Sequence, residues 1–92
     1  METRQFMLAY RLTRNSVIHQ EFYVTEELAR KDANDLFQQG FVYIELFAKD
    51  RRGYYRSLKR VDQHEGVARA KHDAFVKAAE QDFLDYHHQL FD

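Results

Sequence analysis

Apolar residues recur at every second position, then at every third or fourth, and the switches between the two periods divide the chain. Phe6, Leu8, Tyr10 and Leu12 alternate with Met7, Ala9 and Arg11, the period of a strand with one buried face. Ile18, Phe22 and Val24 alternate with Val17, His19, Glu21 and Tyr23 and predict a second strand, with Arg14-Asn15-Ser16 between the two. An odd loop sets Leu12 against Ile18, Leu8 against Phe22 and Phe6 against Val24. An even loop sets Leu8 against Glu21 and Met7 against Phe22 and mixes the faces. Register follows the buried face, so the odd loop is expected.

Thr25 then stands where a helix N-cap belongs, with Glu26 and Glu27 in the first turn near the positive end of the helix dipole. Ala29, Ala33, Leu36 and Phe37 repeat at helical spacing, and Gly40 supplies the left-handed stop. Helix one is predicted over Glu26 to Gln39, with Phe41 packing back on Leu36. Strand three follows over Phe41 to Lys49, with Val42, Ile44, Leu46 and Ala48 on one face. Asp50-Arg51-Arg52-Gly53 reads as a type I turn that sets Asp50 opposite Tyr54, Leu46 opposite Leu58 and Glu45 opposite Lys59. Strand four, Tyr54 to Val61, carries Arg56 and Arg60 beside Leu58 on the core side, which suits a sheet edge.

Asp62-Gln63-His64-Glu65 resembles a capping box with Asp as the cap. An apolar band then runs through Val67, Ala68, Ala70, Ala74, Phe75, Ala78, Ala79, Phe83, Tyr86 and Leu90. Its helix, ending near Phe91, spans roughly 40 Å against about 26 Å for an eight-residue strand, so it is expected to overhang. The predicted fold is α+β, ββαββα. Its sheet is four-stranded and antiparallel, in order 2-1-3-4 with 1-2-3-4 as the alternative. The 92 residues form one domain, a ββαββ body over 1–61 and a C-terminal helix over 62–92.

Four strands span about 19 Å and one helix about 10 Å, so helix one cannot cover the core face alone. If helix two lies beside it, the far face carries Met7, Val17, Tyr23, Phe41, Tyr43, Phe47, Tyr55 and Val61, a large aromatic surface for water. Either helix two covers that face in cis, or a second copy or a foreign ligand does.

Composition narrows the function. Hydrophobic residues make up 45% and aromatics 15%, too apolar for a disordered chain. The net charge of −1 exerts no general pull on nucleic acid or lipid. With no Cys there is no disulfide framework or zinc ribbon. The N-terminus shows no signal-peptide pattern and no apolar run reaches a membrane span, so a cytoplasmic location is expected.

The sharpest local chemistry is the hairpin. Lys49, Arg51, Arg52, Arg56, Lys59 and Arg60 stand against Asp50 alone, a local charge of +5, with Tyr54 and Tyr55 among them. Cations can hold phosphates while a tyrosine stacks on a base. Residues 61–92 carry seven acids against three bases, −4, and can neutralise it instead. His87, His88 and Asp85 lie close in sequence, as do His64 and His72, but neither set has a metal-ligand spacing. Ser16 and Ser57 lie in no nucleophile motif and the three glycines form no phosphate loop, so neither enzyme activity nor a cofactor is expected.

The sequence therefore points to a non-enzymatic protein–protein interaction module. It self-associates as a homodimer, or binds a protein partner, through the C-terminal helix or the open sheet face. Phe75, Phe83, Tyr86, Leu90, Phe91, Tyr43 and Phe47 are the expected contacts. The alternative is nucleic-acid binding through Arg51, Arg52, Tyr55, Arg56, Lys59 and Arg60.

Overall fold

The alternating and helical patterns become β1 (Phe6–Arg11), β2 (His19–Tyr23), α1 (Glu26–Gln38), β3 (Tyr43–Lys49), β4 (Tyr55–Asp62) and α2 (Glu65–Phe91). The structure, a computed structural model, describes residues 4–91, with side chains described as far as Gln81. The four strands form one sheet in the order β2-β1-β3-β4, and every neighbouring pair is antiparallel. The two most apolar strands take the centre, where both edges need a partner.

α1 begins as its sequence dictates. The Thr25 hydroxyl accepts the Leu28 amide at 3.3 Å, relieving one of the unpaired donors of the first turn. It ends in a Schellman turn. Gly40 adopts φ +90°, its amide donates to the Phe37 carbonyl, and the Phe41 amide reaches back to Leu36. α1 lies across β1 and β3, where Leu8, Ala29, Ile44 and Leu46 form the buried core. Phe6, Tyr10, Tyr23, Leu36, Phe37 and Phe41 pack around it.

Two registers differ from expectation. β2 pairs Phe6 with Tyr23, Met7 with Phe22 and Leu8 with Glu21, the arrangement that mixes the faces. Tyr23 therefore turns toward α1, where its ring joins the core and its hydroxyl donates to Asp32 at 2.7 Å. Phe22 goes to the opposite face, its ring 5.9 Å from that of Tyr55. An aromatic residue with a polar tip serves either side, so apolarity alone did not decide the face. Between the strands, Thr13 and Ser16 share a hydroxyl contact of 2.6 Å, and Val17, Ile18 and Val24 lie outside the ladder and exposed.

In the second hairpin the turn register holds for Lys49–Tyr55, Ala48–Arg56 and Phe47–Ser57. Leu58 then has no ladder partner, and Leu46 faces Lys59 while Glu45 faces Arg60. This bulge leaves Leu58 48% exposed. It turns Val61 toward α1 opposite Ile44 and carries Arg60 to the open face. Asp62 also stays in β4, opposite Tyr43 and ion-paired to Arg60 at 2.8 Å. The cap of α2 is His64 instead. Its Nδ1 accepts the Gly66 amide at 3.1 Å and its carbonyl accepts that of Ala68.

α2 does overhang. The molecule's longest dimension is 59 Å, and α2 touches the body through its first two turns, chiefly against α1. No helix among the described residues is long and apolar enough to cross a membrane.

Candidate functional site

Every candidate surface follows from how α2 is rooted. Its root sits on the C-terminal end of α1, against Gly40. A Cβ at that position would run into the Ala68 carbonyl and come within 2.7 Å of the His72 amide, so only glycine lets the two backbones meet. Gln63 clamps the joint. Its side-chain amide donates to the carbonyls of Phe37 at 3.2 Å and Phe41 at 2.8 Å, and its oxygen accepts Lys71 at 2.7 Å. The Lys71 ammonium also lies 3.5 Å from the centre of the Phe37 ring. His72 Nδ1 is 3.3 Å from the Gln39 carbonyl. Cation and donor thus meet the negative end of α1, where its last carbonyls lack helical partners.

Ala68, Lys71 and His72 form the stripe that touches the body. Phe75 is three residues beyond His72 and continues that stripe, but the body has ended by then. Phe75 is 47% exposed, Val67 53% and Val76 38%. The expected contacts Phe83, Tyr86, Leu90 and Phe91 fall in the last turns of α2, whose side chains lie outside the described residues.

Among the described residues, α2 therefore covers neither sheet face, and two surfaces remain. The first is a groove on the helix side. α1 is too narrow to reach β4, so Ile44, Leu46 and Val61 floor an opening of about 370 Å³. Ala33 and Phe37 form its α1 wall, and Arg30 and Lys59 stand at its rim.

The second is the open face, which roofs itself more than the pattern suggested. Met7 and Ala9 are buried on this face, and among the described residues the sheet's own side chains cover them. Their ladder neighbours Phe22, Phe47 and Glu45 flank them on that face. Tyr55 donates to the Arg4 carbonyl at 3.1 Å and has Lys49 over its ring at 5.7 Å. Tyr43 lies between two guanidiniums, Arg60 at 5.0 Å and Arg11 at 5.9 Å. Partial burial, then the hydrogen bond to Glu45, pushes the Tyr43 hydroxyl up to about 12. Tyr43, Phe47 and Tyr55 are half-buried in this layer. Of the other residues expected here, Tyr23 and Val61 face α1, and Phe41 packs edge-on against Tyr10, 5.5 Å between centres.

The hairpin cations do not gather on one surface. Arg56 and Lys59 stand on the α1 side and Arg60 on the open side, because their ladder partners do. Arg51 and Arg52 occupy the exposed turn. Arg56 is paired to Asp50 at 3.0 Å and Arg60 to Asp62. Arg51, Arg52 and Lys59 have no ion-pair partner among the described residues. Asp50 also accepts the Tyr54 and Arg52 amides, and these bonds with Arg56 hold its carboxyl below the usual range.

Sequence reasoning missed Gln63 and His64 as the fittings of the α2 root. The signal for His64 was its place immediately before the first helical residue. Compared with family models, curated proteins and solved structures, the chain matches none.

Proposed function

We propose that the chain is a non-enzymatic, cytoplasmic protein-interaction module that self-associates through α2. The observation that supports this reading is the stripe seating α2 on its own body, which runs on past that body into exposed Phe75. Beyond its root, among the described residues, α2 lacks the packed face from which helices in proteins draw most of their stability. A second copy supplies that face. The test is native mass by light scattering over a concentration series. Wild-type chain is expected to be dimeric and Phe75→Asp or Phe83→Asp monomeric, with helix content retained. Monomeric wild-type chain at every concentration refutes the proposal.

A second reading, nucleic-acid binding, draws on Arg51, Arg52 and Lys59, which lack ion-pair partners among the described residues. Its measure is a salt titration with short oligonucleotides. Phosphate contacts demand affinity that falls steeply with salt and is abolished by Arg51→Glu with Arg52→Glu. Flat binding excludes them.

A further inference from the structure

We infer that the groove between α1 and β4 receives the acidic, aromatic segment 81–92 of a second copy. The inference rests on the self-association proposed above and names where the partner's helix goes.

The groove has an apolar floor of Ile44, Leu46 and Val61 and a cationic rim of Arg30 and Lys59. Arg30 is already engaged by Glu26 at 3.0 Å, so Lys59 is the rim cation without an ion-pair partner among the described residues. A ligand for such a site needs bulky apolar side chains for the floor and carboxylates for the rim. Segment 81–92 has both. Phe83, Leu84, Tyr86, Leu90 and Phe91 alternate with Asp82, Asp85 and Asp92, and it contains no Lys or Arg. The same division runs through the whole chain. Residues 1–60 carry eleven bases against eight acids, a charge of +3, whereas residues 61–92 carry −4. Body and tail are therefore complementary, and charge directs encounter between them.

The tail cannot serve its own groove. α2 is one continuous helix from Glu65 to Phe91, rooted at Ala68 against Gly40, beside the Phe37 end of the groove. Thirteen residues at 1.5 Å each carry position 81 about 20 Å from that root. From Asp73 to Gln81 every residue is exposed. Reaching back would require breaking the helix, whereas a second copy needs no rearrangement. Two chains exchanging tails make the same contact twice and close as a two-fold dimer. Large aromatic anchors in apolar pockets, ringed by charge, concentrate the binding energy.

The experiment uses full-length chains and native mass across a dilution series, with circular dichroism to confirm folding. Lys59→Glu, and Lys59→Glu combined with Ala33→Glu, are expected to weaken dimerisation about tenfold or more, as is Phe83→Asp. Lys59 is exposed, so its single variant keeps the test valid if the double variant misfolds. Mixing the groove variant with Phe83→Asp pairs an intact tail with an intact groove and is expected to restore a heterodimer. If the groove variants dimerise like wild type while Phe83→Asp does not, the groove assignment falls and self-association by helix pairing stands. If the mixture stays monomeric, the exchange of tails is likewise overturned. Monomeric wild-type chain overturns both proposals.

Discussion

Replacing Gly40 with alanine separates two costs that usually arrive together. Gly40 has φ +90° and Gly53 has φ +88°, so an alanine at either meets the same left-handed backbone. That strain costs about 1 kcal/mol. The surroundings differ. At Gly53 the new methyl meets only the Lys49 Cε, at 3.9 Å, an ordinary contact. At Gly40 it meets the α2 backbone, within 2.7 Å of the His72 amide, and backbone cannot swing aside as a side chain can. The root of α2 must lift. That disrupts the Gln63 amide bonds, the His72 contact and the Lys71–Phe37 stacking. These contribute roughly 2–5 kcal/mol together, at about 0.5–1.5 for each of the three hydrogen bonds and 0.5–1 for the cation over the ring. At about 4–8 °C per kcal/mol for a chain of this size, Gly53→Ala is expected to lower Tm by roughly 4–8 °C and Gly40→Ala by roughly 12 °C or more. Thermal unfolding followed by circular dichroism reads both. Equal losses at the two glycines would refute the seating of α2 on Gly40.

Four further outcomes follow from the same geometry. Gln63→Ala leaves the Phe37 and Phe41 carbonyls without their side-chain donor and should cost about 2 kcal/mol in urea unfolding; a loss under 0.5 would mean water replaces the clamp. Leu8 is fully buried, and Leu8→Ala should cost about 3 kcal/mol in the same assay, while Leu58→Ala, on the exposed bulge, should cost well under 1. Tyr43 is raised from 10.0 to about 12, so its contribution is complete below pH 10 and lost as pH climbs toward 12; Tyr43→Phe should flatten that part of the stability–pH curve. Asp50 is lowered from 3.8, so its contribution is present above that pH and lost as acid takes it below; Asp50→Asn should remove this part of the acid sensitivity.

Local chemistry made the element order legible. Thr25 before Glu26 and Glu27 marks the start of α1, and Gly40-Phe41 marks its end, because each device joins residues only a few positions apart. The strand order could also be read, since the most apolar strands must be shielded on both edges. For the candidate surfaces, the overhang of α2 was visible in its length, and the division of charge between body and tail lies in the composition.

Tertiary packing decided the rest. Tyr23 and Phe22 are both aromatic, so alternation alone does not say which faces α1; in the fold it is Tyr23, with its hydroxyl on Asp32. The unpaired Leu58 has no local signal, yet it moves Val61 into the groove and Arg60 onto Tyr43, scattering cations that adjoin in sequence. His64 rather than Asp62 caps α2 because β4 keeps Asp62 for its ladder and for Arg60. The groove exists because Gly40 and Gln63 fix α2 to the end of α1, leaving β4 uncovered. Residues near in sequence set their own geometry through backbone sterics and short hydrogen bonds. Those on different elements meet only after the chain has chosen which surfaces to bury.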